Sequence, residues 1–186
     1  MPITQLDSGT ALVLIDLQKG IVALPTVHPA ADVIERSARL ARAFRSKGLP
    51  VVLVNVAGGA PGRADAAAPG GTRPADWAEL VPELERAPED YTVTKYQWGA
   101  FYGTPLDLHL RRRGVTQIVL AGISTSIGVE STARAAHELG YNVTLAIDAM
   151  TDLNADAHRN SLERIFPRLG ESGSTEDVLA LLGKSR

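Results

Sequence analysis

Apolar residues in this chain come in blocks whose period switches between continuous runs and helical spacing. Residues 11–15 form an unbroken apolar run closed by Asp16, which predicts a parallel strand covered on both faces. From 30 to 47 the spacing of Val33, Ile34, Ala38, Leu40, Ala41 and Phe44 predicts a helix, and Gly48 stops it. Pro50 then opens a second apolar strand, residues 51–56. The β-branched content of 91–95 predicts a third strand, and 104–113 a helix with Thr104 as N-cap and Pro105 in its first turn. A fourth strand, 118–121, runs into a tight turn from Gly122 to Gly128, after which Val129, Thr132, Ala133 and Ala136 recur at helical spacing as far as Gly140. Residues 142–147 predict a strand, 156–166 a helix, 168–171 a short edge strand and 174–182 a last helix. Ser174 and Asp177 approximate a capping box there, with Asp in place of Glu or Gln.

Strands alternating with helices at this spacing predict an α/β protein, a mostly parallel sheet with helices on both faces. Residues 57–74 are rich in Gly, Pro and Ala and have no period, so they read as a long surface excursion. There is no internal repeat and no linker, and residues 1–186 read as a single domain.

Composition narrows the chemistry by exclusion. Nineteen basic and 21 acidic residues are interspersed for a net charge of −2, which leaves no electrostatic footprint for a nucleic-acid partner. The one basic run, 111–113, falls at a helix end, where cations complement the dipole. No apolar stretch approaches the ~20 residues of a membrane span, and residues 1–10 lack the pattern of a secretion signal, so the expectation is a cytoplasmic protein. The chain has no cysteine, which excludes disulfides, thiolate zinc sites and a thiol nucleophile.

In an open parallel sheet the C-terminal ends of neighbouring strands share one crevice. Asp16 ends the first strand, Lys95 the third, and Gly128 lies just beyond the fourth. Alone, Asp16 reads as a turn cap and Lys95 as a solvated strand end; together they pair a carboxylate with an ammonium. Burial raises the carboxyl pKa and the cation lowers it, so the pair can hold a proton and transfer it. The expectation is that Asp16 transfers the proton and that Lys95 is its electrostatic partner or anchors substrate. Gln18, Trp98, Phe101, Ser124, Thr125 and Ser126 are the candidate substrate-binding residues, the aromatics as walls for a planar or cyclic molecule. A hydroxyl nucleophile among Ser124, Thr125, Ser126 and Ser131 would need a positioned base, and His28, His109, His137 and His158 all lie outside these segments. Glu130, Arg134 and His137 form a surface stripe, Trp77 is a lid or subunit contact, and Asp148, Asp152 and Asn154 carry a structural role.

The segments LIDLQ (14–18), KYQWGAFYGTPL (95–106) and GISTSIGVESTARAA (122–136) together resemble the isochorismatase-like hydrolases, relatives of nicotinamidases and N-carbamoyl amide hydrolases. The resemblance runs from about residue 11 to the last helix. It implies a three-layer α/β/α fold, a catalytic Asp, Lys and Cys, a non-proline cis peptide between Ile123 and Ser124, and a homo-oligomer, dimer or tetramer. Asp16 and Lys95 match the first two catalytic positions, while the cysteine falls on Gly128. True isochorismatases similarly work without the thiol, their Asp protonating a vinyl ether that water then hydrolyses. Gly128 is expected to leave room where the thiol would sit. Residues 55–63 lack the Asp-x-His metal motif of the nicotinamidases, so no metal and no cofactor is expected. The implied function is hydrolysis of a small cyclic or anionic metabolite, the alternative being a catalytically silent small-molecule-binding homologue.

Overall fold

The computed structural model of the protein describes residues 3–65 and 72–184. Residues 66–71, within the excursion expected at 57–74, lie outside the described residues. Among the described residues six strands form one parallel sheet in the order β3-β2-β1-β4-β5-β6. The strands are β1 Thr10–Ile15, β2 Val51–Val56, β3 Tyr91–Lys95, β4 Gln117–Ile123, β5 Asn142–Thr151 and β6 Glu171–Gly173. β1 is buried along its whole length, as its continuous apolar run requires.

Helices cover both faces. After β1 come a single turn α1, Lys19–Val22, and the long α2, Ala30–Ser46. α3 is Leu106–Arg112, α4 Glu130–Glu138, α5 Ala155–Asn160, α6 Phe166–Leu169 and α7 Thr175–Lys184. On one face Val33, Leu40 and Phe44 of α2 and Val178 and Leu182 of α7 pack on Leu12, Leu14, Leu53 and Val119. On the other, Leu106 and Leu110 of α3, Ala133 and Ala136 of α4 and Phe166 of α6 pack on Val13, Ile15, Val54 and Leu120. The three layers are those the resemblance implied.

Several boundaries differ from the sequence reading, each for a physical reason. β5 runs to Thr151 and not to Ile147. Its register against β4 jumps from Leu120↔Leu145 to Gly122↔Met150, so residues 146–149 bulge and lose the periodicity by which a strand is recognised. The edge strand begins at Glu171, because α6 carries Pro167 in its first turn and holds Arg168 inside the helix until Gly170. α3 starts two residues later than expected, although Thr104 Oγ1 still accepts from the Leu106 N–H at 3.3 Å. At α7 the Asp serves the capping box after all: Ser174 N donates to Asp177 Oδ2 at 2.8 Å and Asp177 N to Ser174 Oγ at 3.2 Å.

The order of the strands sets the position of the site. From β1 the chain adds β2 and β3 on one side, then crosses to place β4, β5 and β6 on the other. The switch point lies between β1 and β4, and crevices in such sheets open there, at the carboxyl ends of the strands. Asp16 follows β1 and the Gly128 turn follows β4.

Candidate active site

Asp16 carries the chain out of β1 in a left-handed backbone conformation, φ +52°, which Asp tolerates better than most residues. Lys95 ends β3, two strands and therefore ~10 Å from β1. A long side chain is needed to cross that gap, and lysine does so: its Nζ donates to Asp16 Oδ2 at 2.7 Å and to the Gln97 carbonyl at 3.2 Å. Both residues are buried, Asp16 at 5 % exposure and Lys95 at 1 %. The other carboxylate oxygen, Asp16 Oδ1, is buried with no hydrogen-bond partner. Burial pushes the Asp16 carboxyl up to about 6, and the charge and hydrogen bond of Lys95 pull against that rise. The result is a carboxyl raised toward neutral pH, with one oxygen paired to Lys95 and the other buried without a partner.

β4 leads into the third member. Gly122, at φ +123°, lies so close to β1 that a Cβ there would be 2.1 Å from the Ile15 carbonyl oxygen. The Ile123–Ser124 peptide is cis. Residues Thr125–Val129 then form a π-turn, with Val129 N donating to the Ser124 carbonyl at 3.1 Å, and α4 follows directly. Thr132 Oγ1 donates to the Gly128 carbonyl at 2.7 Å and accepts from Ala100 N at 3.1 Å, tying this turn to the segment after Lys95. Asp16, Lys95 and Gly128 thus meet at one place.

The room expected over Gly128 is not open. A Cβ at this position would lie 2.8 Å from Ile15 Cγ2, 3.3 Å from Asp16 Oδ2 and 3.6 Å from the Trp98 carbonyl oxygen. The glycine lets the end of β1 and its carboxylate approach the turn. Gly128→Cys is therefore expected to cost about 1–3 kcal/mol through overpacking and to lower the melting temperature by several degrees without conferring amide hydrolysis. Thermal melts and an amide assay on the purified variant check both halves of that expectation.

The six other candidates are placed as follows. Gln18 is fully buried and spent on the backbone: Nε2 donates to the Val56 and Trp77 carbonyls at 3.0 and 3.2 Å, and Oε1 accepts from Val56 N at 2.7 Å. It fastens the end of β2 and the return of the long excursion beside Asp16, leaving no polar group for substrate. Phe101 is 7 % exposed and packs in the core 5.8 Å from the Tyr141 ring, so it is not a pocket wall. Trp98 turns its indole to solvent, 64 % exposed, and its carbonyl to the site. Thr125 is fully buried, with its hydroxyl donating to the Thr151 carbonyl at 3.1 Å. Ser126 N donates to Asp152 Oδ2 at 2.7 Å, while Ser124 is half-buried and supplies the carbonyl that closes the π-turn. Trp77 lies on Gly20, where a Cβ would come 2.0 Å from the indole, and Arg73 stacks over it at 4.1 Å.

Two bonds near the site escaped the sequence reading, which gave Asp152 only a general structural role and set His158 outside the motif segments. His158 approaches Thr125, its Nδ1 2.9 Å from Thr125 Oγ1, and Asp152 holds Ser126. Neither lies in a segment with Asp16, Lys95 or Gly128. The one available signal was the helix starting near residue 155, which has to pack on something. The Thr125–His158 pair is not a nucleophile and base, because the threonine proton is already given to Thr151 and the oxygen is closed to solvent.

A family model described as isochorismatase domain matches residues 10–177. The uncharacterized isochorismatase family protein YwoC of Bacillus subtilis (strain 168) is 50% identical over 177 residues, covering 91% of this chain and 92% of its own. The uncharacterized isochorismatase family protein YecD of Escherichia coli O157:H7 is 46% identical over 180 residues, covering 93% and 96%. Among solved structures, an isochorismatase family protein from Burkholderia thailandensis superposes with a TM-score of 0.92 at 45% identity, over 96% of this chain and 98% of that one. An N-carbamoylsarcosine amidase from Thermoplasma acidophilum gives a TM-score of 0.74 at 26% identity, over 90% and 96%.

Proposed function

The chain belongs to the isochorismatase family of hydrolases, and on that premise we propose that it hydrolyses a small cyclic or anionic metabolite by proton transfer from Asp16, with no covalent intermediate. The observation that carries this reading is the division of labour in one carboxyl group: Oδ2 is held by Lys95 and Oδ1 is buried without a partner. A carboxylic acid of pKa about 6 can keep its proton in the resting site and give it up to a substrate. With no cysteine in the chain, the thioester route is closed.

The bond changes for an enol-ether substrate are as follows. The Asp16 proton adds to the terminal carbon of the C=C bond, whose electron pair forms the new C–H bond and leaves an oxocarbenium ion. Water adds to that ion and gives its proton to the Asp16 carboxylate. The hemiketal then breaks its ether C–O bond while its hydroxyl proton passes to the departing oxygen, releasing an alcohol and a ketone. Lys95 keeps its proton throughout and stabilises the carboxylate that exists between the two transfers.

Isochorismate and simple enol ethers, assayed beside a panel of amides, test the reading. Ketone release with the amides untouched supports it, and turnover of amides alone overturns it. Burial of Asp16 to 5 % exposure favours the second reading, a silent binding protein, which would show ligand-induced thermal stabilisation and no product. Assembly into dimers or tetramers belongs to the same proposal, supported by the exposed aromatic residues Tyr96, Trp98 and Tyr102, and sedimentation measures it.

A further inference from the structure

Two π-turns lie near the site, linked through the helices that flank them. One is Thr125–Val129, which carries Gly128, and the other is Ser161–Ile165, the continuation of α5. Each is bonded to the helix next to the other: His158 Nδ1 of α5 meets Thr125 Oγ1 of the first at 2.9 Å, and Ser161 Oγ of the second donates to Glu130 Oε2 of α4 at 2.6 Å. π-turns are rare and collect at functional sites, and here the second one has no reacting group of its own.

The hydrogen-bond chain has a fixed direction. Thr125 gives its proton to the Thr151 carbonyl, so it can only accept from His158, and the imidazole carries its proton on Nδ1. The ring is 8 % exposed and sits on a short helix anchored by Asn154, whose Oδ1 accepts from Asp156 N and Ala157 N, both at 2.9 Å. Asp152, just before that helix, accepts from Ser126 N with Oδ2 and from Leu153 N and Asn154 N with Oδ1. Three side-chain bonds from this side, by Asp152, His158 and Ser161, end on Ser126, Thr125 and Glu130, along the stretch from the cis peptide to just beyond Gly128.

We infer that His158 is a positioning residue for the reacting centre, its Nδ1–H on Thr125 Oγ1 locking the π-turn that holds Gly128 against Asp16. This rests on reading Asp16 as the reacting group. The role needs a hydrogen-bond donor at the Nδ1 position and does not need a titrating ring. Asparagine supplies an N–H at about that place, glutamine puts it one atom too far, and phenylalanine fills the space without a donor.

The test combines isochorismate kinetics with amide hydrogen exchange of peptides spanning 124–129, compared among the wild type, His158→Asn, His158→Gln and His158→Phe. His158→Asn is expected to stay within about threefold of wild-type kcat, and His158→Phe to lose ~10–100-fold in kcat with little change in KM, the size expected when a reacting group is slightly misplaced. Exchange in the turn should quicken by about tenfold in His158→Phe and stay unchanged in His158→Asn. Thr125→Val should match His158→Phe, and the double variant should be no worse than either. Equal behaviour of the asparagine and phenylalanine variants, or wild-type exchange in both, would overturn the inference. If His158→Phe does not fold, His158→Gln decides by the same readings. A wild type inert toward isochorismate would defeat the hydrolase reading alone, and the exchange comparison would still decide whether His158 locks the turn.

Discussion

Asp16→Asn is expected to remove turnover almost completely, by ~10²–10⁴-fold in kcat, the usual share of a positioned proton donor. The asparagine can still accept from Lys95 through its amide oxygen and can adopt the left-handed backbone of this position, so the fold should survive. What it lacks is a transferable proton. The wild-type pH profile carries the same message: Asp16 must be protonated to act, so kcat/KM should fall as pH rises through about 6. Steady-state rates from pH 4.5 to 8.5, with circular dichroism on the variant, check both. Retained turnover in folded Asp16→Asn would end the assignment.

Lys95→Met should have the largest effect on stability. Methionine keeps the length and apolar bulk of the lysine but removes the partner of a buried carboxylate, a change worth about 3–5 kcal/mol when the remaining charge stays buried. The sign with pH follows from linkage. The Asp16 pKa in the fold, about 6, lies above the ordinary 3.8. Its contribution to stability is therefore complete below pH ~4 and is lost as pH rises through the folded value, on the order of 3 kcal/mol for a shift of this size. Without Lys95 both downward pulls vanish, the folded pKa moves higher still, and the loss extends to higher pH. Denaturant melts should accordingly show a larger deficit for Lys95→Met at pH 8 than at pH 5, and an equal deficit at both would contradict the pairing.

The outcome for the sequence reading divides by the kind of information each residue needs. β1, β2 and the placement of Asp16, Lys95 and Gly128 were legible because a continuous apolar run fixes a buried strand, and a parallel sheet brings strand ends together whatever lies between them. The Ile123–Ser124 cis bond was accessible only through family resemblance. The burial of Gln18 and Phe101 was not legible because nearness to a motif says nothing about side-chain direction, and both point into packing. The bonds of His158 to Thr125 and of Ser126 to Asp152 were not legible because the partners are 33 and 26 residues apart, and no local period encodes such a bond. The end of β5 was lost where its bulge places Asp148 inside a strand, held by Thr175 and Arg36.

The methyl of Ile15 against Gly128 also bears on how this lineage can change. A larger residue at 128 crowds that methyl until 15 shifts or shrinks, and a smaller residue at 15 by itself leaves a gap at the end of β1. Each change costs stability when made first, so positions 15 and 128 constrain each other in the side chains they accept.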